Sequence, residues 1–191
     1  MVGRGGEAGR IGFAGAASAD GVGDRVGAIA EGCVVFSQAR TGPRLHAVGI
    51  STWQRTKNAA ETLSAMREAA TSAHWRQLGI LTLEGVPLHY TGASCLDHCG
   101  GFEGTNSLAL GNFLGSADVL PEMVRAFEQA AGPLEERLQA GMLAGEAAGS
   151  EREPLQSAAL KVLGSEGLMD ADIRVDFSTD PLKDLRTLWL D

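Results

Sequence analysis

Short apolar runs punctuated by glycine dominate the first part of the chain. Arg10 to Ala17, Val26 to Ile29 and Cys33 to Gln38 each read as a strand, the last two joined through Gly32. Thr41-Gly-Pro opens a helical stretch. From Thr56, a candidate N-cap, the apolar positions Ala59, Leu63, Met66 and Ala70 step by 4, 3 and 4 and so share one helix face. Arg76 to Thr82 and Val86 to Thr91, separated by Glu84-Gly85, read as a hairpin, and a glycine- and cysteine-rich loop follows. Thr105 to Leu114 reads as another strand. A helix opening at Ser116 places Leu120, Val124, Phe127 and Ala131 at the same helical spacing. Gly132-Pro133 stops that helix and starts the next, which Leu134, Leu138 and Met142 line. Gly149 to Glu153 reads as a linker, Ser157 to Leu163 and Ala171 to Phe177 as strands, and Asp180-Pro181 caps a last helix carrying Leu182, Leu185 and Trp189. Strands grouped around helix pairs fit a layered α/β protein in which helices cover sheet faces, and not a doubly wound repeat.

Charge narrows the partners. The 191 residues include 16 Lys and Arg against 24 Asp and Glu, a formal net charge of −8, which argues against nucleic acid and against an anionic membrane surface. With 44% hydrophobic residues the chain can build a core without disulfide staples, and 26 glycines against 5% aromatics predict small and aliphatic packing. Residues 10–191 read as one domain preceded by a flexible glycine-rich N-terminus over residues 1–9. That terminus has no apolar signal region and no later stretch is long enough to span a bilayer, so the expected location is cytoplasmic, with its three cysteines reduced.

Few motifs carry chemistry by themselves. The glycines from Gly3 to Gly9 lack the preceding strand that a phosphate loop needs. Cys95, His98 and Cys99 stand close in sequence, but no further ligand pair stands at zinc-ribbon spacing, so the segment reads as a structural loop, with a metal or reactive-thiol role as the minor readings. His46, His74 and His89 are scattered, while Glu135-Glu136 and Glu151/Glu153 read as solvated carboxylates. Polar residues within apolar strands or at their ends say more, because an unpaired buried polar group costs about 1–3 kcal/mol and needs a partner or a ligand. They are Ser18, Ser37, Gln38, Asn112, Gln156, Ser157, Asp172, Arg174 and Asp176, and Arg174 shares a strand face with its two aspartates.

A series of short motifs runs through Gly12 to Ser18, the strand pair from Val26 to Gln38, Trp75-Arg-Gln77, Thr91-Gly92 with Cys95, and Leu110-Gly-Asn-Phe-Leu114. It continues through Ala126-Phe-Glu, Gly132-Pro-Leu-Glu-Glu-Arg-Leu138, Gln156-Ser-Ala-Ala-Leu160, Asp172-Ile-Arg-Val-Asp176 and Asp180-Pro-Leu182. In this ordered series the chain resembles domain-of-unknown-function family ten twenty-eight. Family members are usually placed with the N-terminal nucleophile (Ntn) hydrolases. The resemblance therefore implies an α+β, four-layer α/β/β/α sandwich and hydrolysis of amides by a Thr, Ser or Cys whose own α-amine is the general base. Here Met1 is followed by Val2, which has no nucleophilic atom, and by a polar glycine-rich stretch, so the nucleophile and the first strand are both missing from the chain as written. A start further upstream and a loss of activity each account for that departure. Leu110 also stands where Gln commonly precedes the Gly-Asn pair, and the loop after Cys95 lacks the usual aromatic.

The expected function is that of an Ntn-like amidohydrolase for a small amide, inactive as this chain is written and with no catalytic residue assigned. The alternative is a non-catalytic small-molecule-binding or oligomeric interaction protein on the same fold. Pocket candidates are Ser18, Ser37, Gln38, Asn112, Ser157 and Arg174, with Asn112 as the oxyanion donor. No metal ligand and no cofactor is assigned, and a homo-oligomer is expected.

Overall fold

The structure, a computed structural model, describes residues 1–5 and 9–190. It is a mixed α+β fold with two antiparallel sheets and five α-helices. In chain order the elements are β1 (Val2–Arg4), β2 (Ile11–Ala17), β3 (Gly27–Ala30), β4 (Cys33–Ala39), α1 (Pro43–Thr56), α2 (Ala59–Ala69), β5 (Arg76–Thr82), β6 (Leu88–Thr91), β7 (Gly100–Glu103), β8 (Ser107–Gly111), α3 (Val119–Gln129), α4 (Leu134–Ala147), β9 (Ser157–Leu163), β10 (Met169–Val175) and α5 (Pro181–Leu190). One sheet runs β10-β9-β2-β1-β8-β7 and the other β3-β4-β5-β6.

Period-two alternation divides each strand between two cores. On β4, Cys33 and Val35 join Leu45, Met66, Leu78 and Ile80 beneath α1 and α2, whereas Val34 and Phe36 turn the other way to meet Phe13, Leu81 and Leu108 of the inter-sheet core. Phe13 and Phe36 meet edge-on across that core, ring centroids 5.4 Å apart. A third core joins the six-stranded sheet to α3, α4 and α5 through Leu120, Phe127, Leu138, Leu160 and Leu185.

Residues 1–9 were expected to form a flexible tail and the first strand to be missing, yet Val2–Arg4 is a strand paired on both sides, with Val2 opposite Phe13 and Leu108. Its sequence hides this because the stabilising contacts are not apolar alternation. The Phe127 ring lies where a Cβ of Gly3 would stand. The Arg4 guanidinium donates to the carbonyls of Thr82 at 2.9 Å, Leu83 at 3.2 Å, Gly85 at 2.9 Å and Thr105 at 2.7 Å. Gly6, Glu7 and Ala8 of the expected tail lie outside the described residues. Thr56 is not the cap of α2 but the last residue of α1. Asn58 is the cap, its Oδ1 accepting from the Ala60 and Glu61 amides at 3.0 and 3.1 Å. No helix among the described residues is long and apolar enough to cross a membrane.

Candidate functional site

A notch between Gly15–Ala17 of β2 and Leu110–Gly111 of β8 encloses a cavity of about 280 Å³. Beside it Met1 exchanges both backbone bonds with Ala14, its amine donating to the Ala14 carbonyl at 2.6 Å and its carbonyl accepting the Ala14 amide at 3.0 Å. One wall of the cavity comes from the inter-sheet core (Val22, Val26, Phe36 and Leu110) and the other from the helical side (Leu120, Met123, Met142 and Leu182). Met1 stands at its inner end, where burial holds the α-amine down at about 5.

Polar groups gather at the rim. Ser18, Gln38 and Asn112 all line the cavity, together with Arg25, Thr41, Glu146, Ser150 and Glu151. Glu151 accepts the Ser18 amide at 2.8 Å, tying the end of β2 to the loop after α4. Partial burial, with Asp180 adding to it, pushes the Glu146 carboxyl above its ordinary range. Arg25 donates two of its N–H groups within its own loop, to the carbonyls of Gly21 at 3.2 Å and Asp20 at 2.7 Å. Leu96, from the cysteine loop, forms part of the mouth, and its neighbour Asp97 reaches Arg152 at 3.4 Å.

Beneath the rim lies an amide ladder. The register sets Gln38 opposite Gln77, and Gln77 opposite Thr91. Gln38 Nε2 donates to Gln77 Oε1 at 3.0 Å, while Gln77 Nε2 lies 3.1 Å from Thr91 Oγ1, 3.0 Å from the Gly100 carbonyl and 2.8 Å from the Gly111 carbonyl. Gln77 has no exposed surface and joins the two sheets directly below Asn112.

The other candidates lie elsewhere. Ser37 is fully buried on the helix-covered face of β4, opposite to the face that carries Gln38, and its Oγ has no hydrogen-bond partner among the described residues. Ser157 is also outside the cavity, but its Oγ donates to the Ala19 carbonyl at 2.6 Å and accepts the Val22 amide at 3.1 Å, which holds the loop that walls it. Arg174 sits half-exposed on the edge strand β10, paired with Asp24 and, at 3.1 Å, with Asp176, while Asp172 pairs with Lys161. His46 is buried, its pKa held below the usual range, and His89 lies 3.8 Å from Glu103. No three His, Cys, Asp or Glu residues among those described converge in a metal-holding arrangement. Gln77 and Glu151 are the residues that sequence reading passed over as site members. Gln77 carries the same polar-in-a-strand signal as Gln38, whereas nothing about a loop carboxylate marks Glu151.

Comparison with known proteins gives two findings. The sequence pattern of a family of unknown function, DUF1028, matches residues 1–185. The fold is also similar to that of the crystal structure of a DUF1028 protein from Silicibacter pomeroyi, 26% identical in sequence, with a TM-score of 0.91 over 99% of this chain and 83% of that one. No curated protein matches the chain.

Proposed function

As the chain belongs to DUF1028, a family of unknown function, we propose its role from the notch itself: it binds a small amide between β2 and β8. The observation that carries this reading is the cavity between the two strands, with Ser18, Gln38 and Asn112 among the residues that line it. Apolar walls with a few convergent polar groups are the usual make-up of a small-molecule site. We also infer the four-layer α/β/β/α arrangement of the Ntn hydrolases, which the stacking of three cores supports: helices on sheet, sheet on sheet, sheet on helices. Filling the notch tests the binding reading. Ala16→Phe places a ring in the cavity, and ligand-observed NMR with a set of small amides should show binding to the parent protein and none to the folded variant. Equal binding to both would remove the notch from consideration.

A second reading, hydrolysis of that amide, has one observation in its favour: Asn112 lines the cavity and is the candidate donor to an oxyanion. Val2 offers no nucleophile, because its side chain has no nucleophilic atom, so water would add to the carbonyl carbon and the C–N bond would break with release of ammonia or an amine. Release of ammonia from a bound primary amide, above the rate in buffer, is the required result. Binding without release leaves the first reading alone.

A further inference from the structure

We propose that Gln38 presents its carbonyl oxygen to the cavity, so that the favoured ligand brings an N–H donor to that point: a primary amide or an ammonium head, in preference to a carboxylate or an ester. This rests on the binding reading above and goes further by fixing which end of the ligand faces which wall.

The orientation follows from groups that cannot change role. The Gly100 and Gly111 carbonyls only accept, so the end of Gln77 that lies 3.0 and 2.8 Å from them is its NH₂. That places Gln77 Oε1 against Gln38, at 3.0 Å, and an oxygen there requires the Gln38 NH₂ as its donor. Side-chain amides are ordinarily ambiguous between their two ends, but here two fixed carbonyls settle the first amide and the first settles the second. Gln38 is therefore left with its Oε1, beside the one N–H that Gln77 does not take, for the cavity that it lines.

Charge at the rim acts in the same sense. Glu146 and Glu151 both line the cavity, and Arg25, the cation among the lining residues, is held by the carbonyls of Gly21 and Asp20. A ligand carboxylate would meet the Gln38 oxygen and two carboxylates, against the single cation of Arg25 among the lining residues. A ligand NH₂ or NH₃⁺ meets a prepared acceptor.

The test is a titration of the full chain, followed by backbone amide NMR, with four probes that share one apolar body: 3-methylbutanamide, 3-methylbutylammonium, 3-methylbutanoate and methyl 3-methylbutanoate. The amide and the ammonium should bind at least about tenfold more tightly than the carboxylate and the ester, with shifts at Ala16, Gln38 and Asn112. Gln38→Leu, its backbone amide spectrum keeping the dispersion of the parent, should bring the amide and the ester within about twofold of each other, while the preference for ammonium over carboxylate narrows but persists, because Glu146 and Glu151 remain at the rim. Carboxylate or ester binding as tight as that of the amide, or an amide-over-ester preference that survives Gln38→Leu in full, overturns the head-group assignment and leaves the notch as a site. If no probe shifts the notch residues, the binding reading itself fails and takes this inference with it.

Discussion

Replacing Gln77 by Leu removes the link between the two sheets while keeping the volume of the side chain, so the loss measures hydrogen bonding and not a cavity. Four contacts go: the donations toward Thr91, Gly100 and Gly111 and the acceptance from Gln38. A typical hydrogen bond contributes about 1 kcal/mol net, and a buried group left without a partner costs about 1–3 kcal/mol. The Gly111 carbonyl is the one that water cannot reach, the bond it accepts being fully buried, whereas the partners at Thr91, Gly100 and Gln38 are partly accessible and recover water. Burying an apolar side chain in place of the amide returns part of the loss. The expected cost is therefore about 2–4 kcal/mol. With a urea m-value of about 2–3 kcal/mol/M, the unfolding midpoint falls by about 1 M with the slope unchanged. Urea unfolding followed by tryptophan fluorescence and far-ultraviolet circular dichroism gives both numbers. A loss below about 0.5 kcal/mol, the size of an ordinary surface change, would refute the reasoning, because Gln77 would then be holding neither sheet.

Three further outcomes are expected. Arg10→Met leaves the carboxylate of Glu135, 1% exposed and paired with Arg10 at 2.5 Å, uncompensated in the interior, and chemical denaturation should show a loss of about 3–5 kcal/mol. Ser37→Ala removes a buried hydroxyl that has no partner, so the same measurement should show stability unchanged or raised by up to about 1 kcal/mol, with no change in ligand binding; a loss above 1 kcal/mol would assign the hydroxyl a partner. Stability should peak near pH 8–9, as urea midpoints from pH 5 to 10 would show. Between about 5 and 8.0 the unfolded chain carries a proton on the Met1 amine that the folded chain lacks, so stability rises with pH there, and neutral buried His46 adds to the loss on the acid side. Glu146, raised by burial, opposes this only at the acid end. Above 9.0 the unfolded Cys33 thiol ionises while burial keeps the folded one protonated up to about 12, so stability falls again. A flat profile between pH 5 and 8 would contradict the burial of the amine.

Regular amphipathic elements were legible because their own side chains announce them. The face that includes Met66 marks α2, and Gly132, at φ 98°, marks the break before α4. Elements held by other parts of the chain were not. β1 reads as a polar tail because its glycine makes room for Phe127 and its arginine serves distant carbonyls. β7, Gly-Gly-Phe-Glu, has no apolar alternation and exists through its pairing with β8. The same division runs through the site. Polar residues in apolar strands pointed to Ser18, Gln38 and Asn112, but adjacent strand residues face opposite ways, and nothing local distinguishes the face of Gln38 from that of Ser37. The notch itself is lined from β2, β4, β8, α3 and α4, an arrangement that no single segment contains.

The most direct measurement is the electron density of crystals grown with 3-methylbutanamide. The account predicts the ligand between Ala16 and Leu110, its NH₂ toward Gln38 Oε1 and its branched end toward Leu120 and Met123. Density outside the notch, or an amide turned with its carbonyl oxygen against Gln38, would contradict it.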